Sequence, residues 1–349
     1  QEKKLTSRLG VLPDVYTFSK KDFKENQINK GQVIFGASEY LKDGLIPLNE
    51  LMGASPWQDR MIEILENLYA YKEDFETLEQ YFNRVSTVEE INGEMLQALT
   101  RVYWMKGDEK YLNWAIEIAD HYLLDTDFYQ TEYLKLRDHG CEIIGGLSEL
   151  FFSLYWLGHP KADFYRLPIY RLLDLILVYG RNSDGLFYNA INLKTRKAID
   201  DRIADTWGYI LNAYYTVYLV DKKIEYIQAV RKPFKALNFD YRNYNWEPNK
   251  DRGPLGSHDG YADALESGIN LLNRVNDAQL SQWIDSEIQV MFGMQQANGI
   301  IEGWHGDGNF ARTALMYGLW KTQGARVSPW NDQLRLGAAT CEKGTYFVL

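Results

Sequence analysis

Residues 299–313 read GIIEGWHGDGNFART, and within them Glu302, Trp304, His305, Asp307 and Arg312 stand among three glycines. A loop that only turns the chain needs one Gly or an Asn-Gly pair. An acid, a second acid, an imidazole, a guanidinium and an indole in so short a span are the means for proton transfer, anion binding and stacking on a flat ring. Glycine lets backbone come close to a ligand while the side chains between reach into a cavity.

Four other stretches have the same polar, acid-bearing character: EEINGE (89–94), LRDHGCE (136–142), DDRIADTWGY (200–209) and GSHDGYADALE (256–266). They hold three of the chain's five histidines, once the 302–312 stretch is counted with them: His139, His258 and His305. They also hold Arg137, Arg202 and Arg312, whose planar forks match a carboxylate or sulfate. Each Arg has an acid close by, Asp138, Asp201 or Asp307, with which it could simply pair. Trp207, Tyr209, Tyr261 and Trp304 offer faces for sugar rings, or else serve the core.

Helices must position these residues. Aromatic and aliphatic side chains recur at three- and four-residue spacing in GEMLQALTRVYWM, LSELFFSLYWL, YILNAYYTVYLV, LESGINLLNRV and ARTALMYGLW. Tight turns follow at 106–110, 157–163, 220–225, 274–279 and 321–326, and a further turn is expected at 71–74. Most lead into a second helix. Six such hairpins cannot bury their inner helices singly, so they stack or close into a ring. The reading is all-α, an (α/α)6 toroid with short β-hairpins in connecting loops, one of them at GLFYNAINL (185–193); an open solenoid is the alternative. No linker or charge run interrupts the pattern, so residues 1–349 are expected to form a single catalytic toroid. In a closed ring every inner helix begins at the same end, and the five polar stretches converge on one mouth, where helix N-termini also favour anions.

Composition narrows the function. The 349 residues carry 38 Lys and Arg against 48 Asp and Glu, a formal charge of −10, which argues against a nucleic-acid partner. No stretch is long and apolar enough for membrane insertion. Two cysteines, Cys141 and Cys341, make no disulfide framework, and buried thiols are expected. The polar start QEKKLTSR, with Gln1 in place of Met, looks like a mature periplasmic or secreted chain. HExxH, paired CxxC, Walker A and G-x-S-x-G patterns do not occur, and His258, His305 and Asp307 match no standard metal spacing; no metal or cofactor is expected. The oligomeric state stays open.

At DTWGYILNAYYTVY and WHGDGNFARTALMYGLWKTQG the chain resembles the inner-helix openings of toroidal carbohydrate-active enzymes. These comprise uronate polysaccharide lyases, unsaturated-uronyl hydrolases, related glycosidases and the oligosaccharide dehydratases of ulvan degradation. The resemblance implies an acidic oligosaccharide as substrate and two candidate mechanisms. In β-elimination a base removes the proton beside a uronate carboxylate neutralised by cations. His139, His258, Tyr261, His305 and Asp307 would be the catalytic residues, with Arg137, Arg202, Asp205, Trp207, Tyr209, Asp259, Glu302, Trp304 and Arg312 binding substrate. In hydrolysis a carboxyl pair drawn from Asp205, Asp259, Glu302 and Asp307 would act as acid and base. Acids at helix N-termini have a ready role as caps, whereas three rim histidines have none, so elimination is favoured. A glycan-binding helical repeat without catalysis is the third reading.

Overall fold

The computed structural model describes residues 16–17, 19–23, 38–46, 48–49, 55–73, 88–237, 258–293, 295–299, 308–321, 338–341 and 344–347. After a two-residue pair of strands, β1 (Tyr16–Thr17) and β2 (Asp22–Phe23), the first inner element is a π-helix, Tyr40–Leu45. It is followed by α1 (Pro56–Glu73), α2 (Glu89–Lys106), α3 (Glu109–Asp120), α4 (Cys141–Trp156), α5 (Lys161–Tyr179), α6 (Trp207–Asp221), α7 (Ile224–Arg231), α8 (His258–Leu272), α9 (Ala278–Gly293) and α10 (Gly308–Lys321).

The inner helices α2, α4, α6 and α8 are recognised by burial on nearly all sides. In α8 every residue from Tyr261 to Leu272 is buried, and in α4 only Glu142, Gly145 and the last two residues escape. Outer helices such as α3 bury one stripe, Tyr111, Leu112, Trp114, Ala115 and Ile118, and expose the other. Each large side chain so buried contributes about 1.5–3 kcal/mol. Neighbouring inner helices pack in order: α2 on α4, α4 on α6, α6 on α8, α8 on α10. The Tyr40–Leu45 π-helix packs on α2, and its Asp43 acts electrostatically on Tyr209, Glu266 and Arg312. The first inner element therefore meets the last, and the chain forms an (α/α)6 toroid.

Most hairpin turns fall where periodicity places them. Gly107, with φ 71°, ends α2, and the Asp108 side chain accepts from the Lys110 amide at 3.1 Å to cap α3. Asp277 caps α9 in the same way. The expected turn at 71–74 is a correction. Residues 71–73 end α1, and α1 is an outer helix: Tyr69 packs edge-on against Trp114 of α3, and Glu66 accepts from Tyr111. The first hairpin is thus the π-helix plus α1, so apolar periodicity alone put the phase half a unit out.

The stretch 185–193, expected as a hairpin, supplies one strand, β4 (Tyr188–Asn192); its partner β5 (Lys197–Ile203) lies beyond it, and β3 (Leu134–Lys135) adds a third antiparallel strand in the order β3-β4-β5. Near the end of the chain β6 (Ala338–Cys341) pairs with β7 (Gly344–Phe347). Cys141 is a buried free thiol, and the Cys341 side chain lies outside the described residues. No helix among the described residues is long and apolar enough to cross a membrane.

Candidate active site

Two glycines set the mouth of the ring. A Cβ on Gly93 would lie 2.2 Å from the Glu142 carbonyl carbon, so only glycine lets α2 approach the first turn of α4. A Cβ on Gly208 would lie 2.3 Å from the Ser267 carbonyl oxygen, which draws α6 onto α8. These close approaches draw α2 onto α4 and α6 onto α8, and with them a set of acids.

On one side, Glu94 of α2 accepts a 2.5 Å hydrogen bond from Ser38, and the Lys42 ammonium stands 3.4 Å from Glu94 and 3.2 Å from Asp43. Burial pushes the Glu94 carboxyl up to about 8 against the pull of Lys42. Glu142, in the first turn of α4, is pushed up to about 7, again by burial opposed by Lys42. On the other side, Glu266 of α8 accepts from the Tyr209 hydroxyl and from Arg312 Nε, and Arg312 also lies 3.4 Å from Asp263. Burial raises both carboxyls; Asp138, Asp205 and Glu266 add to the effect at Asp263.

Between them lies the turn 136–140. Asp205, 1% exposed, accepts from the backbone amides of Asp138 at 3.1 Å and Thr206 at 3.0 Å. Burial, and then the negative charge of Asp138, push its carboxyl up to about 6, with Arg137 at 3.9 Å opposing. Asp138 itself is more exposed and has His139 Nε2 3.1 Å away, while His139 Nδ1 is hydrogen-bonded to Glu90. That bond raises the imidazole to about 9. A buried carboxyl raised to about 6 beside a more exposed acid gives two carboxyls in different environments, the arrangement that an acid and a base require.

The residues singled out from the sequence fall into four groups. Arg137, His139, Asp205, Tyr209 and Arg312 meet at this mouth. Arg202 stands on β5 in a fork-to-fork pair with Asp200, not Asp201. Arg312 reaches across to Glu266 of α8, and Arg137 stands 3.9 Å from Asp205. Trp207 and Tyr261 are corrections: both side chains are core. Trp207 is fully buried edge-on to Trp283, and the Tyr261 hydroxyl points at the outer layer, bonded to Glu287 Oε2 at 2.7 Å. His258 opens α8 and Asp259 follows it, but their side chains, and all of Glu302, Trp304, His305 and Asp307, lie outside the described residues.

Sequence reasoning missed Lys42, Asp43, Glu90, Glu94, Glu142, Asp263 and Glu266. Part of their signal was present: Glu90 and Glu94 are four apart, and Asp263 and Glu266 three apart, so each pair lies on one helix face. Among the described residues no three His, Cys, Asp or Glu side chains gather as a metal site.

No family profile matches the chain, and no curated protein matches it by sequence. Solved structures do match in fold. The unsaturated glucuronyl hydrolase of Bacillus sp. GL1 is 11% identical, with a TM-score of 0.58 over 95% of this chain and 96% of that one. The Lin0763 protein of Listeria innocua is 15% identical, with a TM-score of 0.57 over 93% and 95%. An inactive variant of the α-1,6-mannanase GH76A of Salegentibacter sp. HEL1_6, bound to α-1,6-mannotriose, is 13% identical, with a TM-score of 0.55 over 81% and 88%. At these identities the likeness establishes the toroid fold shared with carbohydrate-active enzymes.

Proposed function

We propose that the chain is a glycoside hydrolase of oligosaccharides, with Asp205 as general acid and Asp138 as the carboxylate that works with it. The observation that carries this reading is the buried Asp205 carboxyl, pushed up to about 6 next to the charge of Asp138. An acid tuned toward neutrality can protonate a departing glycosidic oxygen, and the second carboxylate then activates water or stabilises the sugar cation. Fold neighbours that are hydrolases of uronyl and mannosyl chains support the same reading.

Elimination is supported less well. The base it needs would come from His139 or Tyr261 among the described candidates. His139 is raised to about 9, so at neutral pH it is an imidazolium and has no lone pair to accept a proton. Tyr261 spends its hydroxyl on Glu287.

The substrate class we propose is an oligosaccharide with a uronyl end. Lys42, Arg137 and Arg312 supply cations, and burial raises Glu94 to about 8 and Glu142 to about 7, which leaves the mouth less negative than its count of acids. The test is incubation with lyase-cut uronyl oligosaccharides and, in parallel, α-1,6-mannooligosaccharides, read by mass spectrometry. Cleavage with gain of one water, abolished in Asp205→Asn, is the expected result. Cleavage without water, loss of water from an intact chain, or binding without turnover would replace the proposal with a lyase, a dehydratase or a glycan-binding protein.

A further inference from the structure

We infer that His139 is a positioning residue: held by Glu90, its ring fixes a positive charge against the Asp138 carboxylate and so sets the pH range in which the Asp138–Asp205 pair can act. The inference rests on the hydrolase reading for its consequence, though not for its geometry.

Three observations carry it. First, both ring nitrogens face carboxylates from different elements: Nδ1 is bonded to Glu90 of α2, and Nε2 lies 3.1 Å from Asp138 Oδ2. A neutral imidazole can donate from one nitrogen only, whereas an imidazolium serves both sides. Second, the backbone at His139 is left-handed, with φ 65°. Non-glycine residues adopt this conformation at a cost, and such strain persists where surrounding structure enforces it. Here the enforcing contacts are the Cys141 amide bonded to the Arg137 carbonyl at 3.1 Å and Gly140 pressed on Lys135, where a Cβ would sit 2.6 Å from the Lys135 carbonyl oxygen. The bend is what lets one turn offer Asp138 by its side chain, its own amide to Asp205, and the His139 ring to both acids. Third, among the described residues Glu90 and Asp138 favour the ring's cation, while burial and Lys135 of β3 oppose it; the two acids prevail.

The cation has a second effect along the chain of contacts. The negative charge of Asp138 is one cause of the raised Asp205 carboxyl. By fixing Asp138 in place, His139 also fixes part of the field that raises the Asp205 carboxyl. Glu90, His139, Asp138 and Asp205 thus form a sequence of alternating roles, anchor, clamp, carboxylate and acid, and only the last two face a sugar in the proposed reaction.

His139→Asn tests this directly, because Asn tolerates a left-handed backbone and carries no charge. On an oligosaccharide that the protein cleaves, the acid limb of the kcat/KM profile is expected to move up by at least about one pH unit, the effect of losing one adjacent opposite charge. Turnover at the optimum should fall roughly tenfold or more, with KM little changed, the pattern of a lost contribution to the reaction step rather than to binding. An unchanged profile and kcat in His139→Asn, with Asp205→Asn inactive, would overturn the clamp and leave the hydrolase reading intact. A readout independent of turnover is NMR titration of the imidazole. The His139 ring should titrate near 9 in the intact protein and fall toward its ordinary 6.5 in Glu90→Gln. If no oligosaccharide is cleaved the hydrolase reading fails, and this titration alone decides the clamp: a wild-type ring titrating at 6.5 or below rejects it.

Discussion

The two ends of the inner helices treat charge in opposite ways. At the mouth, acids outnumber cations among the described residues and crowd one another, so that burial and like charge push Glu94, Glu142, Asp205, Asp263 and Glu266 upward. Further along the same helices the charges described are paired or hydrogen-bonded. Arg101 of α2 grips Glu149 of α4 with two bonds of 2.7 and 2.8 Å. Arg274, after α8, donates to Thr216 at 2.8 Å and to the Asn212 carbonyl at 3.2 Å while covering the Tyr215 ring. At the end of α6, Asp221 is held low: burial opposes, but bonds from Tyr170 and Arg166 prevail. Matched charge holds helices together; unmatched charge, costly to fold, is what proton transfer requires.

The comparison can be broken first at the mouth. Asp205→Asn should lower kcat/KM by about 10²–10⁴, measured on whichever oligosaccharide is cleaved, while the melting temperature holds or rises because a buried acid has gone. At the far end the pattern reverses. Arg101→Ala should cost about 3–5 kcal/mol in urea unfolding, since Glu149 is left buried without its partner, and should leave the pH dependence of turnover in place. Gly208→Ala tests the close approach of α6 and α8; a methyl 2.3 Å from the Ser267 oxygen forces the helices apart and should cost about 1–3 kcal/mol.

The smallest effect sharpens the contrast through pH. The folded Glu94 carboxyl sits at about 8 against an ordinary 4.5, so between those values the folded state keeps a proton that the unfolded chain releases. Its stabilising share is present in full below 4.5 and is lost as pH rises through about 8. Glu94→Gln should therefore flatten the decline of stability over that window in a series of denaturation curves. Glu149→Gln, at the matched end, should destabilise without removing that slope.

The fold was legible because its signal is periodic and local. Repeats of Leu, Tyr and Trp at three and four residues mark each inner helix, and Gly107, Gly158 and Asp277 punctuate the turns. The first hairpin was misplaced because a π-helix, Tyr40–Leu45, has no α-period to read. The site was legible only in part. Arg137, His139 and Asp205 stand out beside glycines in polar segments, but Glu90, Glu94, Asp263 and Glu266 look like solvated helix acids until the ring turns their faces inward. Trp207 and Tyr261 failed for the converse reason: they neighbour the polar segments in sequence, yet helical rotation carries their rings into the core. Which acid an Arg meets is likewise a tertiary fact, as Arg312 with Glu266 shows.

The most direct test of the central claim, that an Asp138–Asp205 carboxyl pair at the mouth hydrolyses a glycosidic bond, is cleavage of a uronyl oligosaccharide in water enriched in heavy oxygen. The account predicts one heavy oxygen in the products for every bond cut by the intact protein, and no cleavage by Asp205→Asn. A new unsaturated end with no heavy oxygen taken up, or undiminished cleavage by Asp205→Asn, would contradict it.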